Sequence, residues 1–262
     1  MYEKHVISTA TSFCYAYKGA VFLVTNWHVV SGRDPITLQP LDKVHAAIPD
    51  RLGVTFAIAK PVGNNMNHIF WYEVPLPLYE DDERKNAVWL EHPVHGHGVD
   101  VAVIPLSGFE KSFKITSAND AAHDLVKLRL FPGSDVYVLG FPLGLTGGGQ
   151  FPIWKRGTIA SEPGIDLDGM PKLHIDTATR KGMSGAPVYA QQVGLIVPED
   201  PNDPAKGSLG RARRFLGVYA SRLDGDEFSA QLGVVWKEAA IEQIVDGKKR
   251  GTSSFELTVR ES

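Results

Sequence analysis

The sequence has few of the features that mark several large classes of protein. It contains a single cysteine, Cys14, among 262 residues, so an internal disulfide cannot form and the small disulfide-stapled secreted classes are excluded. No apolar run approaches the roughly 18 residues that a membrane span needs. The first residues lead into a polar stretch rather than an apolar signal segment. These absences predict a cytoplasmic protein that does not contact a membrane.

The chain also lacks an excess of charge of either sign. Its 27 basic and 30 acidic side chains leave a net charge of −3, which gives no support for non-specific binding to nucleic acid. The apolar share of 43% is enough for a real core and excludes wholesale disorder. We therefore expect a globular protein of one large domain or two small ones.

What the sequence does contain is a series of short apolar segments that end in turn residues. They are rich in β-branched and aromatic residues, as strands are, and the clearest lie at residues 21–24, 101–104, 136–139 and 215–219. The main exception is residues 236–245, where apolar residues recur at helical spacing ahead of Gly247. A second, short helix is possible at residues 119–124. The pattern predicts a mostly β fold.

Two segments are harder to interpret. Residues 61–92 are dense in aromatic residues and prolines and carry a charge run at 80–85. We predict a strand pair there with a solvated loop at the charges, and we favour a surface insertion without function. Residues 248–262 are predicted to form a tail, because residues 251–254 are the small and polar residues of a flexible start.

Three short patterns carry side chains that could do chemistry together. His28 follows an apolar strand, Asp100 leads directly into a buried strand, and Ser184 lies in a turn of small residues. A serine hydroxyl must lose its proton as it attacks a carbonyl, an imidazole can take that proton, and a carboxylate can orient the imidazole. The main-chain N–H groups of Gly182 and Ser184 are the candidates to bind the oxyanion. The order His, Asp, Ser is used by one of the serine-protease families.

None of the three patterns identifies a catalytic site by itself, and the sequence offers two other candidate sites. His92, His95 and His97 could form a metal site with the nearby Asp100, but their Gly- and Pro-rich stretch is typical of a loop. We therefore favour loop histidines and expect no metal. Cys14 could act as a nucleophile, but its apolar and aromatic neighbours favour a buried core thiol.

The three patterns resemble those of the trypsin-like (chymotrypsin-fold) serine peptidases, and within them the bacterial high-temperature-requirement branch. Residues 25–30 match the motif T-N-x-H-V-V, residues 100–103 match D-[IL]-A-V, and residues 182–187 are similar to G-N-S-G-G-P. The resemblance implies an all-β fold of two six-stranded antiparallel β-barrels with a C-terminal α-helix, and an active-site cleft between the barrels.

The same resemblance implies a division of the chain. Residues 1–118 would form the N-terminal barrel with His28 and Asp100. Residues 119–247 would form the C-terminal barrel with Ser184, followed by the final helix. The peptide-binding PDZ module that usually follows in this branch is not expected, because few residues follow the predicted helix.

The resemblance also implies an activity. It indicates a serine endopeptidase that forms an acyl-enzyme on Ser184, needs no cofactor and acts on polypeptide substrates. By the match, Ala178 lies at the base of the primary specificity pocket. Val218, Tyr219 and Ala220 would bind the substrate backbone by strand addition. Since Ala178 is not a carboxylate, we expect cleavage after small or medium apolar residues.

Met183 is the main departure from the family pattern. Vertebrate digestive relatives carry an Asp at this position, which pairs with a freshly cleaved N-terminus. A thioether cannot make that ion pair, so activation by N-terminal clipping is not expected.

One alternative of a different class stays open. A trypsin-like barrel that has lost catalysis could serve as a binding or scaffold module. Such a module would be free to lose one of the catalytic residues or the glycine before the serine. This chain keeps all four, namely His28, Asp100, Ser184 and Gly182. The enzyme is therefore favoured, while the physiological substrate and the oligomeric state are not predicted.

Overall fold

Strands dominate the fold, as the β-branched segments predict. The computed structural model describes residues 5–62, 66–108, 115–222 and 232–258. In chain order, the elements within these residues are β1 (Phe13–Tyr17), β2 (Ala20–Thr25), α1 (Trp27–Ser31), β3 (Arg51–Val62), β4 (Met66–Pro77), β5 (Ala102–Pro105), β6 (Asp135–Gly140), β7 (Ile153–Ile159), β8 (Lys172–Asp176), β9 (Pro187–Leu195), β10 (Leu209–Arg222), β11 (Leu232–Lys237) and α2 (Glu238–Gly247).

The C-terminal half of the chain closes into a six-stranded antiparallel barrel. Its strands follow one another in the order β10, β11, β8, β7, β6, β9. Side chains alternate between the interior and the outside of a barrel. Val136 and Val138 of β6 are accordingly fully buried, while Tyr137 between them is half-buried. One of the two predicted six-stranded barrels is therefore present.

The N-terminal half is built differently. Strands β1, β2 and β5 form a three-stranded antiparallel sheet, and β3 and β4 form a separate two-stranded hairpin. Strand pairing among the described residues does not close these two sheets into a barrel. Their side chains nevertheless share one hydrophobic core, since Leu23 of β2, Phe56 of β3 and Ile104 of β5 belong to the same buried cluster.

The hairpin β3–β4 corresponds to the predicted strand pair, but it begins at Arg51 rather than near residue 61. The charge run after it forms a turn, as predicted. The Asp81 carboxylate accepts hydrogen bonds from the main-chain N–H groups of Lys85 and Asn86, which fixes an exposed loop.

The C-terminal helix lies two residues later than predicted, because Trp236 belongs to β11. Its apolar face packs into a core shared by the two halves of the chain, which includes Ala240, Ile241 and Ile244 of α2, Val103 of β5 and Val218 of β10. The second predicted helix shortens to a 3-10 turn, Ala121–His123. In the described part of the chain, no helix has both the length and the apolar character to cross a membrane.

The segment after α2 packs against the N-terminal half of the chain. The main-chain N–H of Gly251 donates to the carbonyl of Trp89, and the carbonyl of Ser254 accepts from Nε of Arg33 at 2.8 Å. Ser253 and Ser254 are fully buried. The prediction of a flexible start is therefore wrong, because these small polar residues find main-chain and guanidinium partners that composition cannot reveal.

We expect Gly251→Ala to destabilise the protein by roughly 1–3 kcal/mol. An added Cβ would lie 2.0 Å from Nε1 of Trp89, whose side chain is fully buried and cannot move aside. Urea denaturation measures the change. Gly164→Ala is the control, because a Cβ there meets nothing within 4 Å, and it should stay within about 0.5 kcal/mol of the parent. Equal stability of the two variants would contradict the packing of this segment.

Candidate active site

His28 and Asp100 form a two-point contact at the start of α1. Nδ1 of the His28 ring lies 2.8 Å from Oδ2 of Asp100, and the main-chain N–H of His28 donates to Oδ1 at 2.9 Å. The side-chain amide of Asn26 donates to the main-chain carbonyl of Asp100 at 2.7 Å. A carboxylate on Nδ1 favours the tautomer in which Nδ1 carries the proton and Nε2 is free to accept one. The contact therefore sets both the position and the tautomer of the imidazole.

The surroundings of His28 favour its charged form. Burial by itself lowers the pKa of His28, but the charge and hydrogen bond of Asp100, and the charge of Asp34, outweigh it. The net effect raises the pKa above its ordinary value of 6.5. A neutral imidazole of raised pKa is a stronger base, and its protonated form is stabilised by the carboxylate beside it.

Ser184 lies in the turn that joins β8 to β9, and main-chain hydrogen bonds fix the peptides of this turn. The carbonyl of Lys181 accepts from the N–H of Leu143 at 2.7 Å. Because a trans peptide is planar, its N–H points opposite to its carbonyl. The bond to Leu143 therefore also fixes the direction of the Gly182 N–H, which belongs to the same peptide.

The peptide that ends in Ser184 is fixed in the same way. The carbonyl of Met183 accepts from the N–H of Ala186 at 3.0 Å, inside the turn, so the direction of the Ser184 N–H is set. Among the described residues, neither this N–H nor that of Gly182 has a hydrogen-bond acceptor. Two main-chain donors, separated by Met183, are thus left available in this turn.

Glycine is required at two positions of this turn. Gly182 and Gly185 have positive φ values of 93° and 83°, which L side chains rarely adopt. A Cβ on Gly182 would lie 2.3 Å from the carbonyl oxygen of Phe141, and one on Gly185 would lie 2.1 Å from the carbonyl oxygen of Thr11. The backbone of the turn therefore packs directly on two other backbone segments.

Thr11 connects the Ser184 turn to the strand that leads to His28. Its main-chain N–H donates to the carbonyl of Ser184 at 2.8 Å, and its own carbonyl accepts from the hydroxyl of Thr25 at 2.9 Å. Thr25 is the last residue of β2, three residues before His28. The described residues show no hydrogen bond between the Ser184 hydroxyl and the His28 ring, and such bonds are often long until substrate binds.

The chain was also compared with known protein families. A family model described as the trypsin-like peptidase domain matches residues 10–197, which is most of the chain. The chain belongs to the trypsin-like peptidase family. As a member of that family it is a protease, and its substrates are polypeptides.

Several solved structures are similar to this trypsin-like peptidase. A serine-to-alanine mutant of Rv3671c from M. tuberculosis H37Rv, in an inactive form, is 16% identical with a TM-score of 0.44, over 96% of this chain and 84% of that one. A second inactive form of the Rv3671c protease is 18% identical with a TM-score of 0.40, over 90% and 82%. The HtrA-type protease AlgW with a tripeptide is 12% identical with a TM-score of 0.40, over 90% and 57%. No curated protein matches the chain.

The residues predicted to bind substrate differ in exposure. Ala178 is exposed and lines a surface cavity of about 340 Å³ together with Arg156 and Asp176. Val218, Tyr219 and Ala220 of the peptidase are buried in β10, so their side chains are not presented on the surface. The Tyr219 hydroxyl forms a hydrogen bond with the hydroxyl of Thr179, the residue after Ala178.

The competing histidine site uses its ring nitrogens for other contacts. Nε2 of His92 lies 2.9 Å from Oε1 of Gln243, and its Nδ1 accepts from the N–H of His95. Nδ1 of His97 lies 2.7 Å from the carbonyl oxygen of Pro35. Within the described residues no group of three or more His, Cys, Asp or Glu side chains could hold a metal ion. These contacts agree with the interpretation as loop histidines.

Cys14 is a core residue in the N-terminal half of the peptidase. Its side chain belongs to the buried cluster under the three-stranded sheet, and burial raises the pKa of its thiol to about 12. The thiolate that a nucleophile needs is therefore scarce near neutral pH.

Three residues that support the site were not predicted from the sequence. They are Thr11, Thr25 and Asn26. Thr11 holds the carbonyl of Ser184, and Asn26 holds that of Asp100. Thr25 acts through Thr11, whose carbonyl accepts from its hydroxyl at the end of the strand that leads to His28. Asn26 and Thr25 are part of the quoted motif around His28, so a polar pair before this histidine was a usable signal. Thr11 has no such signal, because the partners of its hydroxyl are more than 100 residues away in the chain.

We expect Asp100→Asn to lower the pKa of His28 below 6.5, because burial still lowers it while the carboxylate no longer raises it. NMR titration of the ring protons of His28 measures the change. Asp34→Asn is the control and should produce a smaller decrease, since Asp34 acts on His28 by charge alone. An unchanged titration midpoint in Asp100→Asn would contradict the contact.

The same contact links stability to pH. Folding raises the pKa of His28, so the pair contributes its full stabilisation below about pH 6.5, the value in the unfolded chain. The contribution is lost as the pH rises through the raised value of the folded protein.

Proposed function

We propose that this protease is a serine endopeptidase in which Ser184, His28 and Asp100 act as a catalytic triad. The observation that carries the proposal is the two-point contact of His28 with Asp100, which orients a half-buried imidazole of raised pKa at the end of β2. The Ser184 turn lies against the same strand end through Thr11 and Thr25. This connection supports the proposal that Ser184, as nucleophile, and His28, as its base, come together from the two halves of the chain.

In the proposed mechanism the hydroxyl oxygen of Ser184 attacks the carbonyl carbon of the scissile peptide bond. Nε2 of His28 takes the hydroxyl proton as the tetrahedral intermediate forms, and then gives it to the leaving amine as the carbon–nitrogen bond breaks. Asp100 stabilises the imidazolium between these two steps. A water molecule then attacks the acyl-enzyme with the same base and releases the carboxylic acid and the free serine.

The oxyanion of each tetrahedral intermediate would be bound by the N–H groups of Gly182 and Ser184. Support comes from the turn itself, where these two donors have no acceptor among the described residues while their peptides are fixed. Donors that are oriented in advance stabilise developing charge without reorganising during the reaction.

The finer architecture belongs to the same proposal. We interpret residues 1–118 as the counterpart of the family's first barrel and residues 119–247 as the second barrel with its helix. The shared core of the three-stranded sheet and the β3–β4 hairpin supports this interpretation, because the two sheets enclose one interior. Residues 248–262 then form the tail, which begins by packing on the first half.

Substrate would bind along β10 beside Ala178. The pairing of β10 with β9 ends at Val218 and Pro187, and the main chain of Tyr219 still bonds to Gly185 and Ala186. Among the described residues, that edge of β10 has no strand partner at Ala220, where an extended peptide could add. The ring of Tyr219 is buried and bonded to Thr179. It would take up space next to Ala178 and limit the size of the side chain that enters.

We expect a fluorophosphonate probe to label the wild-type protein and Ser184→Ala to abolish the labelling. The probe reacts with a serine hydroxyl that an adjacent base has activated, and alanine has no hydroxyl. Labelling is measured by intact-protein mass spectrometry. Ser208→Ala, which removes an exposed serine, should leave labelling unchanged. An unlabelled but folded wild-type protein would rule out the triad and favour a binding module.

We expect peptide-library profiling to show cleavage after small or medium apolar residues. The reason is the absence of a carboxylate at Ala178 together with the buried ring of Tyr219. Tyr219→Phe keeps the ring and removes the bond to Thr179, so its preference should stay close to that of the wild type. A preference for Lys or Arg, which the exposed Asp176 in the same cavity could attract, would contradict this specificity.

A further inference from the structure

We propose that the side chain of Thr11 is a positioning residue for the oxyanion site. It would hold the Ser184 turn in the shape in which the Gly182 and Ser184 N–H groups can bind the intermediate. The inference rests on the proposed function, and it assigns a role to a residue that lies outside the triad and its donors. Thr11 touches neither substrate nor the reacting atoms, so it acts only through the turn.

The hydroxyl of Thr11 lies between two loops of the C-terminal half. It donates to the carbonyl of Gly182 at 2.8 Å and accepts from the N–H of Phe141 at 3.2 Å. Thr11 is only 3% exposed, so water does not replace either partner. Gly140 leaves room for this hydroxyl, since a Cβ there would lie 2.8 Å from it.

The main chain of Thr11 holds the same turn two peptides further on. Its N–H donates to the carbonyl of Ser184 at 2.8 Å. Thr11 therefore fixes the peptides that follow Gly182 and Ser184. The two donor peptides are fixed by Leu143 and by Ala186. The two donor peptides alternate along the chain with the two peptides that Thr11 holds. Each donor N–H therefore lies next to a peptide that Thr11 holds.

Through Phe141, the Thr11 hydroxyl also affects the orientation of the Gly182 N–H, the first of the two oxyanion donors. Its carbonyl oxygen is the atom against which Gly182 packs, and Leu143, two residues later, holds the carbonyl of Lys181. The Thr11 hydroxyl thus anchors the loop that orients the Gly182 N–H. Without it, the buried carbonyl of Gly182 and the N–H of the half-buried Phe141 lose their partner, and glycine at position 182 offers little resistance to rotation of the peptide.

A positioning role predicts a loss in the chemical step rather than in ground-state binding. The oxyanion forms only as the carbonyl is attacked, so a misdirected donor weakens the transition state more than the bound substrate. Because a smaller folded fraction would also lower the apparent kcat at unchanged KM, kcat is calculated per folded molecule, measured by circular dichroism. Valine at position 11 keeps the volume of threonine and removes the hydroxyl, whereas serine keeps the hydroxyl.

The test compares Thr11→Val and Thr11→Ser with the wild type on a peptide substrate. We expect Thr11→Val to lower kcat roughly 10- to 100-fold with KM changed less than about threefold, because a displaced donor costs about as much as these fold-changes. Thr11→Ser should restore kcat to within about threefold of the wild type. Inhibition by a peptide boronate, whose adduct is tetrahedral, should weaken in parallel with kcat.

Ser253→Ala is the matched control. Its hydroxyl also donates to a buried carbonyl, that of Arg84, and accepts a main-chain N–H, that of Phe255. It should lower stability in urea while leaving kcat unchanged.

The proposal is overturned if Thr11→Val keeps the wild-type kcat, if Thr11→Ser is as impaired as Thr11→Val, or if Ser253→Ala lowers kcat equally. A wild-type protein without hydrolysis or labelling instead overturns the proposed function, and the role of Thr11 with it.

Discussion

The two halves of the chain meet at the site through the hydrogen bonds of one residue, Thr11. Its four bonds reach Gly182, Ser184, Phe141 and Thr25, so that a residue just ahead of β1 holds two loops of the barrel and the end of β2 together. Each of these bonds involves a main-chain group. Main-chain carbonyl and N–H groups are present whatever the side chain is. The hydrogen bonds of Thr11 are therefore insensitive to most substitutions of its partner residues. The rest of the site is built outward from this fixed point.

The second constraint is the cost of burying a carboxylate. Asp100 is 5% exposed, and a buried charge is strongly unfavourable unless it is paired and hydrogen-bonded. Each of its carboxylate oxygens accepts from His28, one from the ring and one from the main chain. The contact that orients the imidazole is therefore also the contact that allows Asp100 to be buried. A structural requirement and the proposed chemistry coincide in one pair of residues.

These constraints explain how much could be predicted from the sequence. The His, Asp and Ser patterns and the strands around them are local, because each depends on a few neighbouring residues with a fixed period. Other features depend on contacts across the fold. They are the start of β3 at Arg51, the packing of residues 251–254 on the first half, and the role of Thr11. Small polar residues such as Ser253 and Ser254 have the composition of a flexible tail, and only their buried partners identify them as packed.

Met183 holds the Ser184 turn by an apolar contact with the barrel core. Its side chain is fully buried in the barrel core with Val138 and Leu216, and its sulfur lies 3.0 Å from where a Cβ on Gly140 would be. Burying a methionine contributes about 1.5–3 kcal/mol, and this contribution requires no charge and no free amine. The turn is thus held from inside the barrel by an apolar side chain and from outside by Thr11. Packing of the barrel core and the hydrogen bonds of Thr11 would thus order the proposed oxyanion site together.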